Sequence, residues 1–398
     1  MKIVQINMML QRGSTGKIMY DINKVIQKRG DESFMCYGWY QSNLPNSYKI
    51  KKGKGKLALH YELIKTMIFG YHGYSSVNAT KKLVAYLRSI KPDVVHLHNI
   101  HSGYINIKIL SRYLADDNIK VVWTLHDCWA FTGGCSHYYA SGCDKWINGC
   151  SRCKHHHQYP ISFIFDHSKK QWKDKKQLFT SIQNIHFVTP SNWLANQVKQ
   201  SFLNKYPVSV INNGIDLNIF KPTKSDFREK NNLTDKYVLL AVALPWSKRK
   251  GYYELLDLSQ MLDDNTVLVM VGLNPNKCRK FKNIIGIERT NNQIELAGLY
   301  SSADVFLNPT HEDTFPTTNI EALACGTPVI TYNTCGSPEI IDEKTGIVVD
   351  DKTAKALYNA INEIKDKHLL KEDCVRRAST NYDKETQFNK YYDIYKAL

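Results

Sequence analysis

The sequence predicts an α/β protein made of two Rossmann-like halves, each with a parallel sheet. Three observations predict it. Short apolar runs alternate with helix-periodic segments along the chain. Several runs are apolar at nearly every position, as in strands covered by helices on both faces. The alternation then restarts after about residue 220.

Strands are expected at Lys2–Ile6, Ser33–Tyr37, Val94–His98, Val121–Leu125, Ile185–Thr189 and Val208–Ile211. Helical stretches such as Gly16–Arg29 and Ala79–Ile90 lie between them. The second half offers strands at Tyr237–Val242, Thr266–Val271, Asp304–Leu307, Pro328–Thr331 and Gly346–Val349. Its helices are expected near Tyr252–Met261, Gln293–Ser301, Thr317–Ala324 and Ala354–Lys365. An Asn/Asp-rich loop at Asn213–Pro222, flanked by Gly and Pro, marks the boundary. The expected domains are 1–216 and 217–382. The closing segment 383–398 carries Phe388, Tyr391, Tyr392 and Tyr395 at helical spacing, which suits packing back onto the first half. Ligands bind such sheets at the carboxyl ends of their strands, so two facing halves would share a cleft there.

The 398 residues are 43% hydrophobic and 23% charged, which excludes a disordered chain. No apolar run is long enough for a transmembrane helix. The first strand begins at Met1 with no signal-peptide pattern, so the expected location is the cytoplasm. Formal charge is +16. Lysines cluster at Lys49, Lys51, Lys52, Lys54 and Lys56, and again at Lys169, Lys170, Lys173, Lys175 and Lys176. A solvated surface explains them, and so does attraction to an anionic membrane, since the amphipathic stretch Leu57–Ile64 adjoins the first run. No nucleic-acid-binding signature accompanies the charge, so nucleic acid is not an expected partner.

The richest stretch runs from His311 to Ile330, where a strand feeds a polar loop, a helix and a second strand. Asp313 stands on the loop and Glu321 eight residues later on the helix, with Glu312 beside the first acid. Acids so placed suit sugar and ribose hydroxyls. The helix start offers free amides to a diphosphate, and Thr317 and Thr318 are better donors than Pro316, which has no N–H. Capping on a solvated surface is the competing reading. Lys248, Arg249 and Lys250 follow another strand and could neutralise phosphate. Gly13 and Gly16, in Arg12–Lys17 after the first strand, allow close backbone approach, though the loop lacks the P-loop spacing. His126 follows Val121–Leu125, either as a structural histidine or as one facing a ligand. His96 and His98 end the preceding strand and are candidates to line the acceptor side.

Ten cysteines in a cytoplasmic chain do not read as a disulfide framework, and five fall between 128 and 153. Cys135, Cys143, Cys150 and Cys153 could hold a structural zinc, with His155, His156 and His157 as further ligands. Free or redox-active thiols and a regulatory disulfide are the alternatives. Cys128 reads as a packing residue.

These segments resemble the retaining glycosyltransferases of the GT-B fold, sequence family 4. The likeness rests on the acid-x7-acid segment of Asp313 and Glu321, Tyr300–Pro309, Asn213–Asp216, Thr189–Leu194 and Gly336–Glu339. Thr124–Cys135 points to the bacterial cell-surface polysaccharide branch, of colanic-acid type. The first acid is Asp rather than the family's Glu, and the arginine expected before Lys250 is missing, so Lys248 or Arg249 would supply that charge. The resemblance implies a nucleotide-diphosphate sugar donor, a hexose transferred with retention, and a glycan or lipid-linked acceptor. It implies Glu321 on the ribose, Asp313 or Glu312 on the sugar, the cations on the diphosphate and His126 against the donor sugar. No Asp-x-Asp motif occurs, which fits transfer without a catalytic metal. Lysine patches would then hold the enzyme at the inner face of the plasma membrane. Two rivals are an epimerase-like enzyme on the same fold and a basic binding module without catalysis.

Overall fold

A computed structural model describes the chain except residues 41, 51–63, 65–67, 69, 71, 155, 157–161, 163, 279 and 368. Two compact units emerge: Met1–Asn212 with Phe388–Leu398, and Asn213–Gln387. These divisions fall a few residues from 216 and 382.

The first unit holds a seven-stranded sheet in the order β3-β2-β1-β4-β5-β6-β7. Its strands are β1 (Lys2–Asn7), β2 (Glu32–Tyr37), β3 (Ser47–Lys49), β4 (Val94–Leu97), β5 (Lys120–Thr124), β6 (Ile185–Thr189) and β7 (Val208–Val210). Every pairing is parallel. Strand order reverses between β1 and β4, the kind of position where open sheets bind ligands. One sheet face packs on helices Val77–Ile90 and Ile107–Asp116 through Leu83, Leu87 and Leu110. The other packs on Gly13–Lys28 and the C-terminal helix, through Ile18, Ile22, Ile26, Phe388, Tyr391, Tyr392 and Tyr395.

The second unit holds a six-stranded parallel sheet, β10-β9-β8-β11-β12-β13. Its strands are β8 (Tyr237–Val242), β9 (Thr266–Val271), β10 (Ile284–Ile287), β11 (Val305–Asn308), β12 (Val329–Tyr332) and β13 (Gly346–Val349). Here the order reverses between β8 and β11. The expected strands form within a residue or two of their predicted bounds, and β3 and β10 are additional edge strands.

The second lysine run needs a correction. Lys169, Lys170, Lys173 and Lys176 are exposed on the helix Ser168–Thr180, but Lys175 is wholly buried. Its ammonium donates to Trp129 O at 2.5 Å and lies 4.1 Å from the Trp129 ring centroid. A buried ammonium needs such partners to offset its lost hydration. Lys51 to Lys56 and nearly all of Leu57–Ile64 lie outside the described residues. Among the described residues no helix is long and apolar enough to cross a membrane.

Candidate functional site

In the second unit, two loops leave neighbouring strands at the reversal point. The loop after β8 turns through a 3-10 segment, Lys248–Lys250, into Gly251. Gly251 has φ +72°, and a Cβ there would stand 2.2 Å from Pro309 O, so only glycine lets this loop lie against the one after β11. The two are then laced together. His311 N donates to Arg249 O at 2.8 Å, and the Arg249 guanidinium donates to Glu312 O at 2.6 Å. His311 Nε2 meets Glu254 Oε1 at 2.7 Å.

That lacing separates the three cations. Arg249 braces the loop, Lys248 is exposed, and Lys250 Nζ lies 2.6 Å from Asp313 Oδ2. It also separates the two acids. Glu312 is 3% exposed, whereas Asp313 is more open and holds Lys250. Asp313 further accepts from Phe315 N at 3.3 Å. The helix Thr317–Ala324 begins after Pro316 with no side chain capping it. The first amides of such a helix have no intrahelical acceptor and carry its positive dipole end. Glu321 lies on this helix and accepts from Tyr300 OH at 3.0 Å. Tyr300 is fully buried, and burial first, then the Glu321 charge, raises its hydroxyl well above the usual phenol range. Its role was not foreseen, although Tyr300 opens one of the segments used to recognise the family.

In the first unit, the loop after β1 is shaped by Gly13, at φ +64°, and Gly16, whose Cβ would crowd Gln11 N and Met9 O at 3.2 and 3.3 Å. Gln11 N donates to Gly16 O at 3.0 Å, and the helix begins at Gly13, one turn before the expected start. His126 follows β5 and is partly exposed. Burial lowers it to about 4, with Asp127 opposing and His101 adding to the shift, so it is neutral at pH 7. Asp127 Oδ2 meets His101 Nε2 at 3.0 Å, and its Oδ1 accepts from Trp129 N. Burial works to raise the Asp127 carboxyl, but attraction to His101 and these hydrogen bonds bring it down to about 2.

His96 and His98 do not line an open surface. They are 0% and 1% exposed. His96 is fixed by Tyr395 OH at 2.6 Å and Thr124 Oγ1 at 2.8 Å, and His98 by His126 and Gln5. Alternation along β4 sends both inward.

Cys135, Cys143, Cys150 and Cys153 line one cavity of about 290 Å³, with His72, His156 and His167 in its wall. Cys150 Sγ accepts from Gly133 N at 3.1 Å. The donor types suit zinc, but among the described residues no three His, Cys, Asp or Glu side chains are arranged to hold a metal ion. His155 and His157 lie outside the described residues. Cys128 is buried at 1% exposure.

Glycosyltransferase sequence families cover both units. The chain belongs to Glycosyltransferase Family 4, which matches residues 17–219, and residues 223–381 match the family Glycosyl transferases group 1. It is similar to the putative colanic acid biosynthesis glycosyl transferase WcaC of Escherichia coli, at 24% identity over 367 residues and 88% of each chain. Among solved structures, sucrose-phosphate synthase of Thermosynechococcus elongatus matches with TM-score 0.70 at 16% identity, over 100% of this chain and 98% of that one. Anabaena HepE in complex with UDP matches with TM-score 0.68 at 15% identity, over 100% of both chains. The fold is that of the GT-B glycosyltransferases.

Proposed function

We propose that this glycosyltransferase moves a hexose-type sugar, with retention and without a catalytic metal, from a nucleotide-diphosphate donor to a glycan or lipid-linked acceptor in cell-surface polysaccharide synthesis. The observation that carries the reading is the Lys250–Asp313 pair beside the uncapped start of Thr317–Ala324, with Glu321 on the same helix. A cation, free amides and two carboxylates are the groups a sugar diphosphate needs. WcaC's assignment to colanic acid biosynthesis and HepE's complex with UDP agree with it.

Chemically, the bond from the anomeric carbon to the diphosphate oxygen breaks while a bond to the acceptor oxygen forms. The acceptor's proton passes to the departing phosphate oxygen on the same face. Negative charge grows on the leaving group, and stabilising it there lowers the barrier. Lys250 and the amides of Thr317 and Thr318 act on that charge. Asp313 accepts from sugar hydroxyls, Glu321 from the ribose, and His126 contacts the sugar. Gly13 and Gly16 keep the β1 loop open to close approach. Arg249 acts by holding the loop, and Lys248 gives longer-range attraction. A zinc held by Cys135, Cys143, Cys150 and Cys153 would be structural, and the thiols would have to draw together to bind it. Exposed Lys169, Lys170, Lys173 and Lys176 support contact with an anionic leaflet at the inner face of the plasma membrane.

The test is a panel of nucleotide sugars screened for a thermal shift, since a ligand that binds only the folded state raises its stability. Donors that bind are then assayed for a new glycosidic bond and its anomeric configuration. Failure of every nucleotide sugar to bind rejects the reading. An inverted product rejects retention alone.

A further inference from the structure

Buried polar groups need partners of the opposite kind, and in the first unit this rule fixes the position of a proton. Gln5, wholly buried on β1, has one end of its amide 3.1 Å from Met19 O. A carbonyl can only accept, so the NH2 faces Met19 and Oε1 faces the other way. Oε1 lies 3.2 Å from Nε2 of His98. An amide oxygen cannot donate, so His98 Nε2 carries the hydrogen. Burial, with His96 and His126 adding to it, holds His98 well below the usual imidazole range. Neutral and protonated on Nε2, His98 has a lone pair on Nδ1. That Nδ1 lies 3.0 Å from Nε2 of His126, so the hydrogen between them belongs to His126.

We propose that Gln5 and His98 are positioning residues that hold His126 as its Nε2–H tautomer, leaving Nδ1 as the atom with which His126 accepts a hydrogen bond during transfer. The role in transfer rests on the proposed glycosyltransferase site, while the tautomer stands apart from it. The relay crosses three adjacent strands, β1, β4 and β5. Trp123 Nε1 donates to His98 O at 3.0 Å, which fixes the main chain there, and the His96 ring lies tilted at 32° against the His98 ring with centroids 4.2 Å apart. Asp127 and His101 also act on His126 electrostatically, in opposite directions. In this tautomer His126 Nδ1 accepts from a hydroxyl and disfavours a carbonyl; in the other tautomer Nδ1–H would donate to either.

Full-length protein with nitrogen-labelled histidine, assigned by comparison with His126→Gln, reports the tautomer through its ring nitrogen shifts. The expected wild-type state at neutral pH is a proton on Nε2. Gln5→Leu removes the anchor, whereas Gln5→Glu, as a buried carboxylic acid, can still donate to Met19 and accept from His98. Gln5→Leu should mix the tautomers and lower kcat by about 10–100-fold with donor Kd nearly unchanged, because misplaced groups cost rate before they cost affinity. Gln5→Glu should restore both. A wild-type His126 protonated on Nδ1 overturns the proposal, and this measurement stands even if Gln5→Leu fails to fold. An altered tautomer with unchanged kcat overturns the positioning role. Should no nucleotide sugar be turned over, the glycosyltransferase reading fails on its own, and the nitrogen shifts still decide the tautomer.

Discussion

Lys250 and Asp313 form an ion pair at 2.6 Å, each about one-fifth exposed, between loops that leave adjacent strands β8 and β11. In the proposed site, the pair would meet both the hydroxyls and the phosphate of a sugar diphosphate. Lys250→Met should therefore cost roughly 2–4 kcal/mol of transition-state stabilisation as read from kcat/KM, with most of the loss in kcat, because leaving-group charge is greatest in the transition state. Steady-state kinetics with a donor identified by thermal shift would check this. A loss confined to KM would count against a role in departure.

Glu321 and Tyr300 should be separable by substitution. Tyr300→Phe removes the hydroxyl 3.0 Å from the carboxylate and should cost about 1–3 kcal/mol of stability while raising the donor KM. Glu321→Gln keeps an acceptor for that hydroxyl, so it should leave denaturation midpoints near wild type while cutting kcat/KM. Glu321→Ala would confound the two by stranding a buried hydroxyl. Urea melts beside kinetics on all three variants check the distinction.

Acid should destabilise the first unit through His126. Its folded-state value near 4 lies below the usual 6.5, so the unfolded chain binds more protons between these values. Stability is thus fully present above about pH 6.5 and falls as pH drops toward 4, by on the order of 2–3 kcal/mol for this group. Buried His96 and His98 act in the same direction, and Asp127 adds its loss only nearer pH 2 to 4. Denaturant midpoints measured from pH 7 to 4 should slope downward, and His126→Gln should flatten part of the slope.

Metal analysis of purified protein should find one zinc per chain if the four cysteines close on a metal. Chelation should then lower Tm, and Cys150→Ser should abolish retention of zinc. Zinc-free protein whose four thiols all react with a thiol reagent would reject the site.

Removing one hydroxyl from the C-terminal helix should be felt in the first unit. Tyr395→Phe leaves His96 Nδ1 without its 2.6 Å partner inside the core, at a cost of about 1–3 kcal/mol. A urea midpoint shift checks this.

The central strands were legible because burial on both faces leaves runs such as Val121–Val122–Trp123 apolar throughout. The edge strands were not. β3 is three half-buried residues, and β10 carries Gly286, whose hydrogen is needed because a Cβ would meet Cys278 Sγ at 2.5 Å. The helix Thr317–Ala324, with Asp313 and Glu321 set around it, was visible as a local pattern within one stretch of chain. Gln5, Tyr300 and the fate of Lys175 were not, because each depends on a partner distant in sequence. Trp129 O, which receives Lys175, is 46 residues away. Local charge spacing cannot distinguish such a lysine from its exposed neighbours.

The final eleven residues, Phe388–Leu398, belong to the first unit although the whole second unit is encoded before them. On the ribosome, the amino-terminal sheet must therefore wait, with one apolar face short of its covering aromatics, until the second unit has been made. Folding from the amino end first is the usual order for multidomain chains. Here that order cannot run to completion, and early termination would release a product with an uncovered, aggregation-prone flank.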